Sequence, residues 1–138
     1  MNNVQDLVIA EFSALTSWEE RYKKIIAVGK SMPPLAIELK TDDRKVKGCQ
    51  SQVWLDARLD ENKKVQYRAE SDALIVQGLI AILLKIYSNH TPKEILEIEP
   101  YFVKELGFSE NLSPSRANGL YAMVKQIKYY ALAFHSVV

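Results

Sequence analysis

Hydrophobic positions follow a helical period towards both ends of the chain and a period of two in its middle. Val4, Leu7, Val8, Phe12 and Leu15 recur at helical spacing and predict a first helix over residues 4–15. Ser17-Trp18-Glu19-Glu20 has the form of a capping box, in which a serine and a glutamate satisfy the free backbone donors at a helix start. Trp18, Tyr22, Ile25 and Ile26 line one face of that second helix, and Gly29 with Pro33-Pro34 ends it. Residues 39–50 are polar, with Lys40, Asp42, Asp43, Arg44, Lys45 and Lys47, and predict an exposed loop entering a short strand around Val46. The period then changes. Val53, Leu55, Ala57 and Leu59 alternate with Trp54, Asp56, Arg58 and Asp60. A turn at Glu61-Asn62-Lys63-Lys64 leads to Val65, Tyr67 and Ala69, which alternate again, so a β-hairpin with one buried face is expected. Trp54 falls on its more exposed face.

Ser71-Asp72 has the residue types of a helix cap, and residues 73–87 are apolar almost all round, as in a buried central helix. Thr91-Pro92-Lys93-Glu94 opens another helix, with proline at its first position. Residues 100–106 predict a short helical turn. Ser113-Pro114 starts a last helix with Ala117, Leu120, Tyr121, Val124, Ile127, Ala131 and Phe134 facing inward. The expected class is α+β, a small antiparallel β-sheet packed against several α-helices.

Composition narrows this little. A chain of 138 residues, 48% hydrophobic and 25% charged, fits one domain over residues 1–138 with its own core. The formal net charge is +1, from 18 basic and 17 acidic residues, which gives no broad attraction to nucleic acid or a membrane surface. The longest apolar stretch, 73–87, is interrupted by Gln77 and Lys85 and falls short of the ~20 residues a spanning helix needs. The first residues, Met1 to Asp6, lack the basic start and apolar run of a secretory signal, so a cytoplasmic protein is expected. A monomer is favoured.

The chemistry centres on one residue. Cys49 is the only cysteine, which rules out an intramolecular disulfide and a cysteine-cluster metal site. It follows Gly48 at a loop-to-strand junction, has polar flanks, and lies near Lys45 and Lys47, which would favour the nucleophilic thiolate. The residues alone leave a working thiol and a structural cysteine equally open. Gln50 and Ser51 can donate hydrogen bonds near the thiol. Asp72 reads first as a helix N-cap. Arg116, in the first turn of the last helix, opposes the helix dipole; it either pairs with an acidic group or faces the Cys49 loop or a partner. A thiol hydrolase would need His90 or His135 as base within reach of Cys49. An interaction module with an inert cysteine is the third reading.

Three blocks then add a resemblance. Val46-Lys47-Gly48-Cys49-Gln50-Ser51-Gln52-Val53-Trp54, Ser71-Asp72-Ala73-Leu74-Ile75-Val76-Gln77-Gly78-Leu79 and Leu112-Ser113-Pro114-Ser115-Arg116-Ala117-Asn118-Gly119-Leu120 occur in the order found in the SufE family, and Trp18-Glu19-Glu20-Arg21-Tyr22 and Met32-Pro33 also fit. The chain resembles that family over nearly its whole length. The resemblance implies a fold related to the IscU/NifU scaffold proteins. It implies Cys49 as an acceptor of sulfane sulfur from a cysteine desulfurase, which the protein stimulates, and delivery of that sulfur to iron–sulfur cluster assembly, through a scaffold or another sulfur acceptor downstream. Gly48, Gln50, Ser51, Asp72 and Arg116 would be supporting or interface residues. The chain itself would hold no cofactor, since pyridoxal phosphate belongs to the desulfurase. A carrier of this kind is expected to shield Cys49 until a partner docks.

Overall fold

The structure is a computed structural model and describes residues 3–137. Helix α1 spans Asn3–Ser13. It buries Gln5, Val8 and Phe12, whereas Leu7 is 64% exposed, so the inward stripe is narrower than the apolar pattern suggests. Gln5 belongs inside because its amide is used: it donates to the Glu99 carbonyl at 3.0 Å and accepts the Phe102 N–H at 3.0 Å. Helix α2, Trp18–Lys30, begins at Ser17, whose Oγ accepts the Glu20 N–H. Only half of the expected box forms: the Glu20 carboxylate accepts the Ser17 and Thr16 hydroxyls. Gly29 does not end this helix but lies within it.

Strands β1, Val53–Leu59, and β2, Val65–Ser71, pair antiparallel from Val53↔Ser71 to Leu59↔Val65. Val53, Leu55, Val65, Tyr67 and Ala69 are buried, as the alternation requires. The turn is held by Asp60, whose Oδ1 accepts the N–H groups of Asn62 and Lys64 at 2.9 Å. On the other face Asp56 takes Arg44 at 2.9 Å and Arg68 at 2.8 Å. The strand expected around Val46 shrinks to one bridge, Lys45↔Trp54, with Val46 N–H donating to the Val53 carbonyl. Two 3₁₀ turns, Ile37–Leu39 and Asp42–Arg44, shape the polar loop before it.

Helix α3, Leu74–Tyr87, is the buried centre; Leu79, Ile80, Ile82, Leu83, Ile86 and Tyr87 are almost inaccessible. It packs against α1, α2, β2 and the last helix. Ser71 and Asp72 do not cap it. Ser71 completes β2, and the N-cap is Ala73 with no side-chain bond. Helix α4, Pro92–Glu97, has the full capping box of Thr91 and Glu94. Two short helices follow, α5 (Phe102–Glu105) and α6 (Phe108–Asn111); no periodicity announces the second. Helix α7, Pro114–His135, runs behind the hairpin and α3 from its N-cap Ser113. Tyr121 is 47% exposed rather than inward, and Met123 is buried in this part of the helix. The Tyr67 hydroxyl donates to the Ile127 carbonyl at 2.7 Å and ties the hairpin to α7. The architecture is α+β as expected, a two-stranded sheet packed on helices. Among the described residues no helix is long and apolar enough to cross a membrane.

Candidate functional site

Cys49 lies on the loop between the Lys45 bridge and β1, against the N-terminal half of α7. Gly48 turns the chain there with φ +93°, a conformation that side chains rarely adopt, and a Cβ on it would come to 3.2 Å from Ala122 Cβ. The glycine therefore lets the loop lie flat on the helix. The thiol points inward: Sγ lies 3.5 Å from the Gly119 carbonyl oxygen and donates to it. Cys49 is neither open to solvent nor sealed off from it.

The thiol borders a cavity of about 370 Å³. Val76 and Leu79 of α3 and Met123 of α7 give it an apolar floor; Gln50, Ser51, Ser113, Ser115 and Arg116 give it a polar rim. Ser115, Gly119 and Met123 are four residues apart in turn, so one face of α7 supplies that wall. The structure thus brings Gln50, Ser51 and Arg116 to Cys49. Arg116 makes no ion pair among the described residues; its guanidinium reaches the Tyr22 hydroxyl at 3.5 Å. Of the two roles open to it, facing the cysteine loop is the one its position supports.

Asp72 is not at the cavity. It lines a separate groove with Met32, Pro34 and Leu74. Its Oδ1 accepts the Gln52 N–H at 3.0 Å, and its own N–H donates to the Gln52 carbonyl at 3.2 Å. This fixes the exit of the cysteine loop, a role its sequence position gave no sign of. Asp72→Ala is expected to loosen that exit by about 1 kcal/mol. Alkylation of Cys49 by a bulky maleimide should then run roughly fivefold faster while the global unfolding midpoint in urea changes little.

The expected acidifying effect of the nearby lysines is not met. Lys45 pairs with Asp42 at 3.3 Å and its backbone bridges to Trp54, while Lys47 is exposed. Burial pushes the Cys49 thiol above its ordinary value. The iodoacetamide rate of the folded protein should therefore rise with pH to a midpoint above that of free cysteine. The linked stability is full below the unfolded thiol's pKa and is lost as pH rises through the folded one.

Neither histidine serves as a base for this thiol. His90 has Nδ1 3.3 Å from the Tyr87 carbonyl and lines a different groove with Gln5, Glu94 and Tyr101. His135 ends α7, roughly 24 Å along the helix axis from Gly119 at 1.5 Å per residue. Among the described residues no group of three His, Cys, Asp or Glu is placed to hold a metal ion. Trp54 is only partly exposed; Lys40 sits 5.5 Å from its ring centroid and Nε1 is buried without a partner. Sequence reasoning did not assign Val76, Leu79, Ser113, Ser115, Gly119 or Met123 to the site. The i, i+4 spacing of Ser115, Gly119 and Met123 with Arg116 beside them was the available signal.

Comparison with known proteins bears on the family and the fold. The family model for SufE, described as an Fe–S metabolism associated domain, matches residues 6–131. An uncharacterized SufE-like protein of Rhizobium etli is 42% identical over 127 residues, which cover 89% of this chain and 86% of that one. SufE-like protein 1, chloroplastic/mitochondrial, of Arabidopsis thaliana is 40% identical over 125 residues; the match covers 91% of this chain but 34% of that longer protein. The solution structure of a hypothetical protein from Thermus thermophilus superposes with a TM-score of 0.81 over 99% of this chain and 98% of that one, at 20% identity, and so shares the fold. With the family model and these relatives spanning most of its length, the chain belongs to the SufE family.

Proposed function

We propose that the chain is a single-domain sulfur acceptor and carrier that takes sulfane sulfur from a cysteine desulfurase onto Cys49 as a persulfide. The observation that carries this is the placement of the chain's one cysteine, on a glycine-turned loop at the edge of a cavity with a polar rim and an apolar floor. The Cys49 sulfur would attack the outer sulfur of a persulfide on the desulfurase. A Cys49 Sγ–S bond forms, the desulfurase S–S bond breaks, and the Cys49 proton passes to the leaving thiolate. Arg116 on the cavity rim, without an ion pair among the described residues, sets a positive charge where the anionic persulfide of the desulfurase would arrive. Among the described residues no histidine or carboxylate lines this cavity, which argues against a self-contained hydrolase. On this reading the protein is an accessory that stimulates the desulfurase and turns nothing over alone. Pyridoxal phosphate belongs to the desulfurase, and the sulfur goes on to a scaffold for iron–sulfur clusters in the cytoplasm.

The inward thiol, held on α7, fits a carrier that is shielded when free and opened by its partner. Intact-protein mass after incubation with a cysteine desulfurase and cysteine, without reductant, tests the reading. One added sulfur that reductant removes is expected. No gain with any desulfurase tried would overturn it.

A further inference from the structure

The loop at residues 47–51 is anchored at its two ends. Val46 N–H donates to the Val53 carbonyl at 2.8 Å on one side, and Gln52 N–H donates to Asp72 at 3.0 Å on the other. Between these anchors, among the described residues, one hydrogen bond links the loop to another element: that of the Cys49 thiol to the Gly119 carbonyl. The sulfur that would receive the cargo is also the atom that fastens the loop. The thiol sits close on the α7 backbone here: even a Cβ on Gly119 would lie 3.4 Å from Sγ and 4.0 Å from Cys49 Cβ, ordinary van der Waals contact, so it is the Gly119 carbonyl rather than the missing side chain that holds the sulfur.

We propose that Gly119 is a positioning residue whose carbonyl fastens the unloaded Cys49 loop to α7 and releases it once Cys49 carries sulfur. This rests on the acceptor reading above and adds a consequence of valence. The unloaded Sγ has one proton to donate. On loading, the Sγ–S bond replaces the S–H bond, and that proton leaves with the desulfurase thiol. Sγ then presents only lone pairs to a carbonyl oxygen that also presents lone pairs, so the contact changes from attraction to repulsion. Nothing else in residues 47–51 replaces it. The empty carrier keeps its thiol folded in, and the loaded carrier holds its sulfur on a loop free to reach the next acceptor.

Backbone ¹⁵N relaxation of residues 48–51 tests this without any desulfurase. Four forms are compared: the reduced protein, Cys49→Ser, Cys49→Ala, and the protein whose Cys49 has been capped as an S-methylthio disulfide by methyl methanethiosulfonate. The reduced protein and Cys49→Ser keep a donor, and their order parameters should stay near the rigid value of about 0.85. The capped protein and Cys49→Ala have none, and theirs should fall below about 0.6. Amides of α3 act as the internal standard and should not change. A rigid loop in either donor-free form, or a mobile one in Cys49→Ser, would overturn the proposal. The outcome is separable from sulfur acceptance: a mass gain with a rigid capped loop keeps the carrier and discards the tether, and a mobile capped loop without mass gain does the reverse.

Discussion

Cys49→Ser should gain no sulfur from a desulfurase and should leave the desulfurase at its unassisted rate. The reason is chemical rather than structural. A thiol can ionise to the nucleophilic thiolate, a fraction that burial holds down at Cys49 in the free protein, and sulfur attacks sulfur readily. A serine hydroxyl supplies essentially no alkoxide at neutral pH, and has no sulfur with which to form a disulfide-type bond. Cys49 is partly exposed and its thiol makes one long hydrogen bond, which a hydroxyl can also make. The substitution should therefore cost about 1 kcal/mol of stability or less. Intact mass and desulfurase turnover would be measured on the same preparation whose unfolding midpoint had been taken. A folded Cys49→Ser variant that still acquires reductant-sensitive sulfur would place the acceptor elsewhere, on a chain that has no second cysteine.

Gly78→Ala should be the most damaging small substitution in the core. Gly78 of α3 faces Gly29 of α2 so closely that the two backbones touch. A Cβ on Gly78 would fall on the Ile25 carbonyl oxygen and lie 2.6 Å from both the Ile25 carbonyl carbon and Cγ2. A Cβ on Gly29 would lie 2.6 Å from Gly78 N and 2.8 Å from its Cα. These neighbours are mainly backbone, so relief requires the helices to move apart. Overpacking of this kind costs about 3 kcal/mol, against roughly 1 kcal/mol regained from alanine's better helix propensity. The net loss of about 2 kcal/mol should lower the thermal midpoint by roughly 8 °C. Because α3 also supplies Val76 and Leu79 to the cavity floor, Cys49 in the variant should alkylate faster even below the transition. An unchanged midpoint would show that the two helices have slack the packing does not suggest.

The same two glycines show where sequence reading stops. Gly29 near the end of a helical pattern, followed by two prolines, reads as a terminator; in the folded protein it is a contact surface. Periodicity records what each residue prefers, and says nothing of which neighbour will be opposite. Tyr121 and Leu7 fail for a related reason. Both have apolar character at nearly the right phase, but the helix they sit on is pressed against its neighbours over a narrower arc than the pattern allows. Gln5, on which the apolar pattern is silent, is buried because two backbone groups 94 and 97 residues away use its amide.

Most of the chain's local order was nevertheless written in its residues. The hairpin register follows from the alternation, since a one-residue slip of either strand would turn its own buried set, Val53 and Leu55 or Tyr67 and Ala69, to the outside. The caps at Ser17, Thr91 and Ser113 follow from hydroxyls that reach N–H groups three residues on. Cys49 was legible as the candidate centre because it is the only thiol and follows a glycine, but the choice between a working and a structural cysteine came from the family resemblance and not from those two facts. The site around it was not legible, except in part. Gln50 and Ser51 are neighbours in sequence, but Arg116, Gly119 and the serines of α7 reach the thiol from some 70 residues away, and Asp72 holds the loop rather than capping a helix. Local periods and capping contacts span a few residues, so sequence alone can determine them. The closing of a polar rim and an apolar floor around one sulfur depends on how α3 and α7 lie against a glycine-turned loop, and that is settled only when the whole core packs.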